Sequence, residues 1–262
     1  MFDESHNESL QKKQVDVHVR LWDNGLNCVV SHYLTSEFIG HDRAEDLLPV
    51  LIKCVDDIGL NKSNLLQLSM DGPTVNWKLF RLLNSNFGDS MINIGSCGLH
   101  TMHNAFKYSV EKSGLGVGDF LKSPYWISKD TPARRSDYTI LTDSTVFPLK
   151  FCGHRWLENK PVVTRAIEIW PSVVKYIKYK STQSYKSKSF EVVRIGINND
   201  KLMFVNLAFF LTVINLMTPL LQIFQSERPL VPLLCTHIES MIKQLKEEFC
   251  KIVRTKNRYK YL

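Results

Sequence analysis

From Gln14 to Trp22 the chain alternates: Val15, Val17, Val19 and Leu21 interleave with Asp16, His18 and Arg20. A period of two is that of a strand buried on one face and wet on the other, as in an antiparallel sheet. Asp23-Asn24-Gly25 carries tight-turn chemistry, so Cys28–Phe38, CVVSHYLTSEF, reads as the returning strand of a hairpin. Gly40-His41-Asp42 breaks that strand. The period then changes. Leu47, Leu48, Leu51, Ile52 and Val55 recur at helical spacing across Arg43–Ile58, and Gly59 is placed to stop the helix.

The next stretch has the pattern of strand, helix, strand. Leu65–Met70, LLQLSM, is expected to be a strand parallel to a neighbour in the same sheet, and it ends on Asp71. Gly72-Pro73 cannot continue a ladder. Val75, Leu79, Leu82 and Leu83 then share a helix face. A second short strand, Met91–Ile94, runs into Cys97-Gly98-Leu99-His100.

Beyond His100 the character is helical. A helix is expected over His103–Lys112, stopping at Ser113-Gly114, with Gly116 and Gly118 marking a loop. Asp130–Asp143 is polar and reads as irregular at its start. Phe147–Trp156 leads into a long helix, Leu157–Tyr179, with a junction at Trp170-Pro171. Thr182–Ser189 reads as an exposed Ser/Lys-rich loop, and Pro232–Val253 as an amphipathic helix. Leu202–Phe224 is apolar and long enough to span a bilayer. Its Asn206, Thr212, Asn215 and Gln222 would be costly in lipid, so the expectation is a core helix and no membrane partner. The layout is α/β to about residue 110 and mainly helical over 111–262.

Composition adds little: 44% of the 262 residues are hydrophobic and 23% charged, as in an ordinary globular protein. The net charge of +7 favours partners carrying phosphates. Six cysteines, scattered from Cys28 to Cys250 with no secretory signal before them, point to a reducing, intracellular compartment. Two basic stretches could neutralise phosphates or simply be solvated surface. One is Lys175, Lys178, Lys180, Lys186 and Lys188; the other is Lys251, Arg254, Lys256, Arg258 and Lys260.

An acid at one strand tip, Asp71, beside a second tip carrying Cys97 and His100, has the makings of a site; the alternative is a turn aspartate beside two packed polar residues. Cys97, His100, Cys152 and His154 have ligand types suited to Zn²⁺, but the second pair is tightly spaced and lies far along the chain. Structural roles fit them better, with Cys97 a small buried residue and His100 a hydrogen-bonder at a helix start. Arg155 and Trp156 could touch a phosphate or a nucleobase, or Trp156 could be core. Glu158 and Glu168 read as surface residues of a helix.

Taken in order, these segments resemble transposases of the hAT superfamily, which have a ribonuclease H-like core. MFDES resembles the end of that family's first strand, KQVDVHVRLW and CVVSHYLTSEF its second and third. SMDGPTVNWKLF resembles the segment bearing the second catalytic aspartate, and CGLHTMHNAF the Cys-x-x-His segment after it. FCGHRWLE resembles a later Thr-Arg-Trp segment, with His154 where Thr is usual. The second half would then be part of the family's helical insertion region.

The resemblance implies an α/β fold with a ribonuclease H-like mixed sheet (residues 1–110, its first strand a stub) followed by a mainly helical region (111–262). It implies ancestral metal-dependent DNA cleavage and strand transfer in the nucleus. Such chemistry uses two metal ions about 4 Å apart held by carboxylates. Asp3 and Asp71 are the implied catalytic and metal-holding pair, for Mg²⁺ or Mn²⁺, with carboxylates on the order of 4–7 Å apart. Asp23 is the rival for Asp3, but it would sit in the hairpin turn, at the wrong end of the sheet. The family's third acid, a Glu, has no counterpart in the expected place, and no BED-type zinc finger precedes the core. The expectation is therefore a truncated, transposon-derived chain that holds no metal stably and does not cut DNA. Its partners would be DNA, proteins or a second copy. The alternatives are a non-enzymatic nuclear DNA- or protein-binding factor and a decaying open reading frame.

Overall fold

The computed structural model describes residues 1–129, 131–183, 187–225 and 230–258. The chain is mixed α/β: a three-stranded antiparallel sheet and, among the described residues, ten α-helices. It divides into two compact units. The first comprises Met1–Thr101 with Phe224–Pro232, the second Met102–Ile223 with Leu233–Leu262.

The sheet of the first unit is a meander in the order β1 (Phe2–Asn7), β2 (Lys12–Asp23), β3 (Cys28–Ile39). The hairpin expected from the period-two pattern is present, and the MFDES stub is a strand. Asp23 closes the hairpin turn by accepting the N–H groups of Gly25 (2.7 Å) and Leu26 (2.9 Å). Phe2 lies opposite Val17, and Glu4 opposite Val15. Phe2, Val15, Val17 and Ile39 are buried, so they define the core face. Asp3 lies opposite Asp16 on the other face. β3 carries one extra residue where Val17 and His18 pair with Thr35 and Tyr33, a bulge at Leu34.

Helices α1 (Ala44–Asp57) and α2 (Thr74–Asn86) supply Leu47, Leu51, Val55, Leu79, Phe80 and Leu83 to the same core. Gly59, at φ +64°, follows α1 in a conformation that favours glycine.

Leu65–Met70 and Met91–Ile94 are not strands, and the expected parallel partner in the sheet is absent. The physical reason is local. The two segments do run side by side in the same direction, with Ile92 N–H donating to Leu66 O (2.7 Å) and Cys97 N–H to Met70 O (2.8 Å). The donors, however, are one residue further apart than the acceptors. Gly95, at φ +94°, takes up the extra residue, and a ladder cannot form across that mismatch. Leu68 and Met70 still bury into the core while Leu66 is exposed, so the alternation that suggested a strand is real.

Helix α3 (Gly98–Lys112) begins in the first unit and continues into the second. It starts five residues earlier than expected. The second unit continues with α4 (Val117–Ser128), α5 (Pro132–Thr142), α6 (Lys160–Glu168), α7 (Trp170–Ser181), α8 (Lys188–Asn198), α9 (Asp200–Phe224) and α10 (Leu234–Arg258). Several expectations need correction here. Gly118 is not in a loop but inside α4, and the stretch after Thr131 is the helix α5 (Asp130 lies outside the described residues). The long helix is in fact a 3₁₀ turn, Trp156–Asn159, then α6 and α7, divided at Ile169. Helix α8 had no expected counterpart.

Two glycines let these helices approach closely. A Cβ at Gly118 would lie 2.5 Å from Trp156 Cη2, and one at Gly196 would lie 2.7 Å from Phe120 Cδ2. Around these contacts Trp156, Phe120, Phe190, Phe210, Leu207 and Ile214 are almost fully buried. Helix α9 buries one face, with Leu207, Phe210, Ile214, Leu220 and Leu221, and exposes Leu202, Val205 and Phe209. It is long and apolar enough to cross a membrane by length and composition. Phe249 of α10 packs its ring against Phe209 at 5.2 Å between centroids.

Candidate functional site

Strand alternation decides which acid of β1 faces what. Because Phe2 is buried and Val15 and Val17 are its cross-strand neighbours, Glu4 belongs to the core face and Asp3 to the opposite one. Asp3 is exposed, and its Oδ1 accepts the N–H of Glu4 at 3.0 Å. Asp16, across the ladder, is held below the usual carboxylate range by hydrogen bonds from Gln14 and Ser36.

Asp71 does not end a strand. It follows buried Met70 and lies ahead of the N-terminus of α2, where the helix dipole favours a carboxylate. Asn76, buried in the first turns of α2, donates its amide Nδ2 to Asp71 Oδ1. The Asn76 Oδ1 is buried and accepts no hydrogen bond. Gly72 lies against Ser96, whose Oγ would be 3.5 Å from a Cβ there. Cys97 and His100 follow directly. The Cys97 N–H is spent on Met70 O, and the His100 ring is half-buried with Nδ1 enclosed and unbonded. These residues close the loop around Asp71.

Among the described residues, Glu4 is the carboxyl whose proton is held tighter than normal. Burial is the first cause; the neighbouring charges of Asp42, Asp71 and Asp3 add to it, against the pull of Lys13. An acid with a raised pKa in the folded state destabilises the fold as pH rises from the ordinary glutamate range, because the folded form binds the proton more tightly. Glu4→Gln removes that dependence. The stability of the variant relative to wild type, from urea midpoints, is therefore expected to increase from pH 4 to pH 7. A difference that stays flat across that range would place Glu4 in ordinary solvent.

Two-metal cleavage needs carboxylates that converge on one space. Asp3 lies on the sheet face opposite the core, and the charges of both Asp3 and Asp71 act on Glu4. Among the described residues, no group of three or more His, Cys, Asp or Glu side chains is arranged to hold a metal ion. Asp3 and Asp71 are two oxygen donors of the kind Mg²⁺ and Mn²⁺ take, carried on separate segments of the first unit. Asp23 is engaged in its turn.

The FCGHRW turn belongs to the second unit and is built differently. Trp156 is 1% exposed, its indole N–H donates to Gly153 O at 3.0 Å, and its ring packs edge-on against Phe151. It has no face to offer a nucleobase. Arg155 is exposed and pairs with Glu158 at 3.5 Å. Cys97 and His100 fall in the first unit, Cys152 and His154 in the second. Of the basic stretches, Lys175 and Lys178 are exposed, while Lys180 is tied to Asp137 at 2.6 Å. Lys186 and Lys260, and the side chains of Lys251, Arg254, Lys256 and Arg258, lie outside the described residues.

Two residues that organise this turn were not singled out from the sequence. Buried Asn159 accepts the Cys152 N–H at 2.7 Å and donates to the carbonyls of Cys152, Arg155 and Trp156. Buried His103 accepts the Leu157 N–H on Nδ1 at 3.2 Å. His103 stands three residues after His100 on α3, and that helical spacing was its only trace. In comparisons with known proteins, the chain matches no family model and no curated protein.

Proposed function

We propose that this chain is a hAT-transposase-derived protein with a ribonuclease H-like core, whose ancestral chemistry was metal-dependent DNA cleavage and strand transfer. In its present form it acts in the nucleus by binding DNA or protein rather than by cutting DNA. The observation that carries the reading is the order of parts in the first unit. An antiparallel meander, a helix, an extended segment ending on Asp71, a helix and a second extended segment leading to Cys97 and His100 follow one another. Met70 O and Cys97 N–H join the two segments next to the acid. The reading of lost cleavage draws on strand alternation, which puts Asp3 on the sheet face opposite Phe2, Val15 and Val17.

The test is an incubation of the purified chain with supercoiled plasmid and with end-labelled duplex, in Mg²⁺ and in Mn²⁺. Neither nicking nor end joining is expected. Nicking by the wild-type chain that Asp71→Ala abolishes would overturn the proposal. It would mean that Glu4, Glu158, Glu168 or another chain completes a working site.

A non-enzymatic binding role also draws on the open face of the sheet. Trp22 (55%), Tyr33 (58%) and Phe38 (44%) are exposed there, with His18 edge-on to Tyr33. Exposed aromatic rings on a sheet are what a binding surface needs and what a core avoids.

A further inference from the structure

The Cys152–Trp156 turn holds a thiol and an imidazole together. Cys152 Sγ lies 3.6 Å from His154 Nε2 and 3.9 Å from Nδ1. His154 is exposed and Cys152 half-buried, so reagents in solution can reach both. The turn is rigid. Asn159 clamps the N–H and the carbonyl of Cys152, and the Trp156 indole ties down the carbonyl of Gly153 between the two side chains. The pair is therefore held in place by buried groups, and little ordering remains when the thiol ionises.

The charges around the turn point the same way. Lys150 and Arg155 flank it in sequence, and Lys122 lies over the rings of Phe151 and Trp156 at 5.8 and 5.5 Å. Glu158 offsets the charge of Arg155 at 3.5 Å and Asp119 lies 3.7 Å from Lys122, which leaves Lys150, among the described residues, as the flanking cation with no acidic partner beside two paired ones. A thiol beside an imidazole in an electropositive, partly exposed setting is the environment that favours a nucleophilic thiolate.

We propose that Cys152 is a modification site: a thiol activated by His154 that exchanges with small anionic disulfides such as oxidised glutathione. In the step, His154 takes the thiol proton and the Cys152 sulfur attacks one sulfur of the disulfide. The incoming S–S bond breaks, a mixed disulfide forms on Cys152, and the leaving thiolate receives the proton from His154. One disulfide is consumed and one is made, so no outside oxidant is needed.

The other cysteines provide an internal control. Cys54 is buried, and burial pushes its thiol up; Cys28 and Cys235 are exposed. The experiment is brief treatment of the folded chain with limiting iodoacetamide at pH 7, and separately with oxidised glutathione, read per cysteine by mass spectrometry. Cys152 is expected to react about tenfold faster than Cys28 or Cys235 with both reagents. In His154→Ala that advantage disappears. His154 is exposed, so the variant should keep the wild-type melting temperature, which the same samples report.

Equal rates at Cys152, Cys28 and Cys235 in wild type would overturn the proposal, as would an unchanged Cys152 rate in His154→Ala. Stoichiometric Zn²⁺ retained through purification that blocks Cys152 alkylation would also overturn it, since the pair would then be part of a metal site.

Discussion

Trp156→Ala is expected to destabilise the second unit by about 3–5 kcal/mol, the range for emptying a fully buried large aromatic site. The ring is 1% exposed and is enclosed by Phe151, Phe210 and the backbone of α4 at Gly118. The α4 wall cannot collapse inward cheaply, because it is a helix whose glycine already sits in van der Waals contact with the ring. The indole N–H also holds Gly153 O, so its loss leaves that carbonyl to water or to nothing. A melting temperature lower by roughly 6–20 °C is the corresponding shift for a domain of this size. Under the proposed binding role, DNA affinity measured well below the new transition should be unchanged. A variant that melts like wild type but loses DNA affinity would put the ring at the surface and reverse the assignment.

That residue also shows where sequence reading stops. An aromatic next to an arginine in a polar turn has two meanings, and only burial separates them. Gly118 was the clue: a helix-interior glycine is costly unless something needs its missing side chain, and here Trp156 does. It read as a loop because Gly116 and Gly118 together look like punctuation. Helix α8 was hidden for a similar reason, since Gly196 and the Ser/Lys-rich run before it dilute its apolar pattern, while Phe190, Val193 and Ile197 carry the burial.

The sheet was the most legible part, because alternation is a property of single residues. Val15 and Val17 had to face one way and Asp16 the other. What alternation could not say was which of Asp3 and Glu4 joins that face. The choice depends on pairing Phe2 with Val17 rather than with a neighbour, and a stub has too few residues to declare its register. The same limit explains Leu65–Met70. Its apolar period was correct, but a strand is defined by its partner, and the partner carries an extra residue at Gly95.

Asn159 offers a sharper test of how the turn is held, because two substitutions at it should fail in different ways. In Asn159→Ala the Cys152 N–H loses its acceptor and three carbonyls lose the amide N–H, although Arg155 O keeps the Glu158 N–H. One orphaned buried N–H alone costs about 1–3 kcal/mol, and the carbonyls add to that. Asn159→Asp keeps an acceptor for Cys152 but replaces the donating amide with an oxygen aimed at the carbonyls of Cys152, Arg155 and Trp156. A buried carboxylate facing carbonyl oxygens is repelled by them and desolvated, so its pKa should rise above that of an unfolded aspartate. The linkage then has a definite sign. A protonated Asp can donate as the amide did, so the variant is most stable at low pH and loses stability as pH rises through about 4, the unfolded value. At pH 7 the expected order of melting temperatures is wild type, then Asn159→Ala, then Asn159→Asp. Between pH 7 and pH 4 the Asp variant should close its gap to Ala, and the Ala variant should not change its distance from wild type. An Asp variant as stable as wild type at neutral pH would mean that Asn159 touches water, and that the turn is held by the Trp156 indole instead.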